Sequence, residues 1–96
     1  MDVSCPGSIL LDRKTLLVLF GVTGGPAWRN NQGWNTSLPT KEWYGVILNA
    51  EDRVVELDLG WNNLRGHIPS QLGDLRMLQR IFLSGNVLTG EIRACP

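Results

Sequence analysis

The chain has 96 residues, nine Lys or Arg against nine Asp or Glu, and 43% apolar residues including four Trp. That length fits one domain burying about 60% of the surface its unfolded form exposes, and the apolar content excludes a disordered chain. A formal charge of zero with no basic stripe argues against nucleic acid or an anionic membrane as partner, and no apolar run approaches the ~18 residues of a membrane span.

Residues 1–10 contain Cys5-Pro6-Gly7-Ser8 and no periodicity, and read as a flexible leader. Helical spacing begins at Asp12, a residue suited to cap the free amides of a first turn. Leu16, Leu17, Leu19 and Phe20 share a broad apolar face, and Thr23-Gly24-Gly25-Pro26 ends the helix. Arg13 and Lys14 ahead of residues 16–22 faintly imitate a secretory signal. The charged pair comes late and the apolar stretch is minimal, so the segment fits a helix covering one end of a larger structure. Residues 28–43 have loop composition but carry three of the four Trp, which predicts a loop clamped to the helix by its aromatics. Val46, Ile47 and Leu48 read as a short edge strand, and residues 49–53 as a polar turn. Residues 11–53 therefore form an amino-terminal cap.

From residue 54 the sequence repeats itself. Val54, Leu57, Leu59, Asn62, Leu64, Gly66 and Ile68 recur as Leu78, Ile81, Leu83, Asn86, Leu88, Gly90 and Ile92, each pair 24 residues apart. A fixed period in this range predicts a solenoid in which each repeat contributes a strand and a returning arc, here two 24-residue repeats over residues 54–96. The fold class is α/β: a short solenoid with a helical cap and a small parallel sheet. Strand cores fall near residues 56–59 and 80–83, with Pro69 removing an amide donor at the outer side of the first turn.

Asp12-Arg13-Lys14, Thr23-Gly24-Gly25-Pro26-x-Trp28, Gly33-Trp34-Asn35, Trp43-Tyr44-Gly45-Val46, Arg53-Val54-x-Glu56-Leu57-Asp58-Leu59 and the Asn-x-Leu-x-Gly-x-Ile signature together resemble plant-type leucine-rich-repeat proteins, over roughly residues 11–93. The resemblance takes in the amino-terminal cap as well as the repeats. It implies a sealed solenoid whose inner strands bind peptides or proteins, as in receptor-like kinase ectodomains and inhibitors of pathogen enzymes. There are two departures. Lys41 and Leu48 stand where secreted members usually carry a cysteine pair, which implies a cap held by packing alone, and Arg93 replaces the proline that Pro69 supplies one repeat earlier.

With Leu57 and Leu59 turned inward, alternation places Glu56, Asp58 and Trp61 on the concave side, and the next repeat adds Arg80 and Phe82. Parallel strands about 4.8 Å apart set Glu56 beside Arg80 and Asp58 beside Phe82. These five residues are the candidate ligand-binding set, Trp61 and Phe82 being rigid anchors of the kind on which interface energy concentrates. The plainer alternative is that Trp61 folds over the sheet edge and Glu56 with Arg80 is an exposed ion pair. Asn62 and Asn86 resemble the family's ladder asparagines, a structural role that answers the need to pair buried backbone groups.

No catalytic, metal or cofactor site is expected. His67 stands alone on the returning arc as a solvated side chain, and no nucleophile element or phosphate-cradling glycine motif accompanies it. Cys5 and Cys95 read as free thiols, although an oxidising compartment would permit a bridge between chains, and Asn35-Thr36-Ser37 is a formal glycosylation acceptor that matters only after secretion. The expected function is non-enzymatic protein or peptide binding. The alternative is a truncated or capping fragment that stacks on another solenoid, or on its own copy, through an open carboxy-terminal edge. The weak leader and the missing cysteine pair tilt the expected location to the cytoplasm, against a secreted or cell-surface alternative.

Overall fold

A computed structural model of the chain describes residues 9–89. Helix α1 (Ile9–Val22) is followed by 3-10 turns at Gly25–Ala27 and Thr40–Glu42, then strands β1 (Val46–Leu48), β2 (Val54–Asp58) and β3 (Arg65–His67). A 3-10 turn at Ser70–Asp74 leads into β4 (Arg80–Phe82) and β5 (Val87–Thr89). Two small sheets result, β1-β2-β4 and β3-β5.

The 24-residue interval works because it returns the chain to the same place one coil further on. Strands β2 and β4 pair in parallel, Glu56 opposite Arg80, Leu57 opposite Ile81 and Asp58 opposite Phe82. Strand β1 runs antiparallel to β2, since the polar turn between them is too short for a crossover. Asn49 organises that turn: its side-chain Oδ1 accepts from the Glu51 and Arg53 amides at 2.9 and 3.0 Å.

The second sheet is not legible in the sequence. Strand β3 is Arg-Gly-His with all three residues exposed, a poor strand by propensity. It forms because the next coil lies alongside, Arg65 pairing with Val87 and Gly66 with Leu88 in parallel. Gly66 also meets the end of α1. Its φ is +99° and a Cβ there would stand 2.7 Å from the Val22 carbonyl oxygen, so only glycine permits the approach. The neighbouring Arg65 amide donates to the Thr23 carbonyl at 3.0 Å, pairing one of the carbonyls that a helix leaves unbonded at its end.

Helix α1 begins at Ile9, ahead of the expected start, and Asp12 does not cap it. Asp12, Thr15, Leu16, Leu19 and Phe20 are its buried residues, a spacing of three and four that places the carboxylate on the core-facing stripe. There Asp12 is 2% exposed and accepts from Arg53 Nε at 2.8 Å, Arg53 Nη2 at 3.1 Å and the Val54 amide at 3.1 Å. This forked arrangement ties the first turn of the helix to the start of β2. The hydrogen bond to Asp12 holds the Arg53 guanidinium pKa above its ordinary value against a smaller opposing effect of burial. Raising the pKa of a base in the folded state favours folding wherever the group is charged, so this contribution is present at every pH below the arginine range.

The aromatics of the loop form a continuous wedge. Phe20 meets Trp28 edge-on at 5.2 Å, Trp28 meets Trp34 edge-on at 4.8 Å, and Trp34 lies 5.1 Å from Trp43. Each buried indole N–H donates to a carbonyl: Trp28 to Thr23, Trp34 to Tyr44 and Trp43 to Leu38. Arg13 covers the outer end, its guanidinium 4.8 Å over Trp43 while donating to the Leu38 and Thr36 carbonyls at 2.9 and 2.5 Å. The expectation of a cap held by packing alone is therefore corrected: a buried ion pair and a bonded cation join the aromatic packing.

Asparagine side chains join successive layers. Asn86 Oδ1 accepts from the Asn62 and Leu64 amides, both at 3.0 Å, while its Nδ2 donates to the Leu59 and Leu83 carbonyls at 2.8 and 3.0 Å. Asn62 repeats the pattern one layer earlier against the cap loop, accepting from the Asn30 amide at 2.7 Å and donating to the Asn30 carbonyl at 2.9 Å. Between these layers lie Val54, Leu57, Leu59 and Leu64, all 0% exposed, each such side chain contributing about 2 kcal/mol on burial.

Two outcomes follow from these contacts. Asp12→Ala leaves Arg53 and the Val54 amide without their acceptor and is expected to cost about 3 kcal/mol, the low end for a broken buried pair because Arg53 keeps an edge in solvent; urea unfolding followed by tryptophan fluorescence measures it. Asn86→Ala is expected to cost about 2 kcal/mol and, specifically, to accelerate hydrogen exchange at the Asn62 and Leu64 amides. Unchanged protection at those two amides would contradict the bridging role.

Candidate functional site

Alternation along the inner strands sets one face against the core and leaves the other open. Leu57 and Leu59 point inward and are fully buried, so Glu56 and Asp58 stand on the opposite face. Pairing extends this face on both sides of β2. Ile47 of β1 lies opposite Glu56, and Arg80 of β4 lies on its other side, which makes a row of Ile47, Glu56 and Arg80. A second row contains Asp58 and Phe82, its β1 side closed by the Asp58 amide donating to the Gly45 carbonyl at 2.8 Å.

Trp61 stands just past the end of β2. Its amide donates to the Ser84 carbonyl at 2.7 Å, and its φ of +55° is a conformation that bulky residues rarely adopt. That backbone turns the indole onto the next coil: a methyl group added at Gly85 would overlap Cδ2, Cε2 and Cε3 of the ring. The other face of the ring is open, for Trp61 is 74% exposed and Phe82 48%. The indole is seated on backbone and faces solvent.

The five sequence-derived residues lie along one strip. Glu56 and Arg80 approach only to 4.0 Å, with Arg80 largely in solvent, a pair that contributes little. Asp58 forms no ion pair or side-chain hydrogen bond among the described residues. Ile47 is the residue that sequence reasoning missed: half-exposed, it supplies an apolar end to the strip. Its signal was the alternation of Val46 buried, Ile47 exposed and Leu48 half-buried, which becomes readable only once β1 is known to share the sheet. Gly85, the seat of Trp61, is a second residue that the alternation of the strands did not single out.

His67 lies on β3, exposed in the other sheet. Among the described residues no group of three or more His, Cys, Asp or Glu could hold a metal ion, and no helix is long and apolar enough to cross a membrane. Cys5, Cys95, Gly90 and Arg93 lie outside the described residues. A cleft of about 350 Å³ opens on the cap, among Ile9, Arg13, Thr40, Lys41, Leu48 and Asp52. It is separate from the strip, and its wall holds Lys41 and Leu48.

Comparison with known proteins agrees with this architecture. The Leucine Rich Repeat family model matches residues 53–75. The chain is 36% identical over 84 residues, 86% of its length, to the leucine-rich repeat receptor-like tyrosine-protein kinase PXC3 of Arabidopsis thaliana, of which it spans 9%. It is 37% identical over 57 residues, 58% of its length, to a probable leucine-rich repeat receptor-like protein kinase of the same plant, of which it spans 6%. Among solved structures, the PEPR1-AtPEP1 crystal structure superposes with a TM-score of 0.67 at 24% identity, over 80% of this chain and 11% of that one. The residues matched by the family model are those that build β2, β3 and the 3-10 turn returning toward β4, so the chain carries a leucine-rich repeat and resembles leucine-rich-repeat proteins of the plant type.

Proposed function

We propose that the chain is a non-enzymatic recognition module that binds a protein or peptide through the strip formed by Glu56, Asp58, Trp61, Arg80 and Phe82, with Ile47 at its edge. The observation that carries this reading is the exposure of Trp61 and Phe82 beside a strand, β2, whose opposite face is buried through Val54, Leu57 and, just past its end, Leu59. Large aromatics held rigidly outside the core are the residues on which binding energy concentrates, because they bury much area at little entropic cost. The family's binding role supports it, as does a fold relative whose solved structure is the PEPR1-AtPEP1 complex. Three short strands offer well under the ~800 Å² per partner of a standard interface, so the affinity of this chain alone is modest.

A second reading has its own observation. Leu78, Ile81, Leu83 and Leu88 are only partly buried, whereas their counterparts Val54, Leu57, Leu59 and Leu64 are fully enclosed. The outer edge of β4 and β5 therefore presents an incompletely covered core, suited to stacking on another solenoid or on a second copy of the chain.

Peptides selected from a random library on the whole chain test the first reading. Trp61→Ala combined with Phe82→Ala is expected to weaken them by at least about tenfold with unchanged circular dichroism, and equal binding by the double variant would refute the strip as the recognition surface. For the second reading, sedimentation is expected to show a mass that rises with concentration; a monomer at all concentrations rules out self-stacking.

A further inference from the structure

Asp58 is the one carboxylate of the strip without a cationic neighbour. Glu56 has Arg80 beside it, while Asp58 has no ion-pair partner among the described residues. Asp58 Oδ1 lies 3.8 Å from the position a Cβ on Gly60 would take, and Trp61 is the residue that follows that glycine. On the adjacent strand its partner in register is Phe82. A carboxylate with no ion-pair partner among the described residues, a half-exposed phenyl ring in register with it and an indole three residues along the chain, seated on Gly85 and 74% exposed, thus share the strip.

These groups suit a cation, and among cations a planar one. The open face of an indole attracts positive charge through its quadrupole, and a carboxylate at its side supplies an opposite charge and two acceptor oxygens. A guanidinium can lie flat on the ring and direct its N–H fork in the ring plane to the carboxylate, whereas an ammonium can satisfy the two only as a point charge. The backbone holds the platform ready: Trp61 is fixed by its amide bond to the Ser84 carbonyl, so little ordering remains to be done on binding.

We infer that the strip selects partners that present an arginine side chain, its guanidinium stacked on Trp61 and paired with Asp58. This rests on the strip being the recognition surface, and it adds the chemical class of the residue recognised there. An extended segment with arginine flanked by apolar side chains fits the whole strip, the apolar neighbours resting on Phe82 and Ile47.

The test is an NMR titration of the whole chain with N-acetylargininamide, followed at the Trp61 indole N–H, a signal assigned by its loss in Trp61→Ala. The three other indoles are buried and bonded to carbonyls, so they serve as internal controls. Saturable millimolar binding is expected at Trp61 alone, weakened about tenfold or more in Asp58→Asn and by added salt. N-acetylcitrullinamide, which keeps the shape and lacks the charge, is expected to bind at least about tenfold less well. No shift with the arginine amide, equal shifts with the citrulline amide, or an unaffected Asp58→Asn variant would each overturn the inference. Library peptides that depend on Trp61 and Phe82 but show no enrichment of arginine would also overturn it while leaving the recognition strip standing; peptides indifferent to both aromatics would remove the two together.

Discussion

Each coil of this protein satisfies its backbone polar groups on the coil beside it. Strands β2 and β4 exchange amide and carbonyl bonds in parallel, and where the strands end, the Asn86 side chain continues the exchange with two accepted and two donated bonds. A turn that leaves a strand at full burial has amides and carbonyls without partners, and a carboxamide carries both acceptor and donors on one short stem. The leucines at 0% exposure can lie between layers only because the polar groups around them are paired in this way. Everything presented on the inner face inherits its spacing from that stacking.

On the side of β2 away from β4 the described residues supply the cap in place of another coil. Asn30 stands in for a neighbouring turn by exchanging bonds with Asn62, and β1 covers the edge of β2 by pairing with it antiparallel. Helix α1 closes the apolar side through Leu16, Leu19 and Phe20, while Asp12 fastens it to Arg53. The described residues of the cap are tied together by the partly buried Asp12–Arg53 ion pair and interlocked aromatic rings. A buried ion pair is costly to break from one side, which gives the helix a defined register on the sheet.

The two ends of the strip differ in character, and the difference has a backbone origin. At the β1 end the row combines apolar Ile47 with the opposite charges of Glu56 and Arg80. At the Trp61 end the chain leaves the sheet through a left-handed residue, which lays an aromatic ring on Gly85 of the next coil. A residue with ordinary strand geometry there would send its side chain along the sheet normal instead. The local strain of a bulky side chain at positive φ is carried by a position with an open aromatic surface, the kind of site where such strain tends to persist.

Much of this was readable from the residues themselves. The 24-residue spacing determined the parallel pairing and its register, because the matched positions among the described residues return to the same angular place only if the chain closes one coil per period; Glu56 beside Arg80 and Asp58 beside Phe82 follow from that spacing and the alternation of a strand. The three loop tryptophans announced an aromatic clamp. Tertiary structure alone decided the rest, since the information lay in contacts between segments far apart in sequence. Asp12 read locally as a cap, yet its stripe on the helix faces the core, where Arg53 from forty residues away meets it. Strand β3 exists because a neighbouring coil offers it partners, not because Arg-Gly-His favours extension. Ile47 joined the strip when β1 paired with β2, and Trp61 acquired a seat only when the next coil brought Gly85 beneath it. Local patterns encode what a segment is able to form, while the partner that makes it form arrives through the fold.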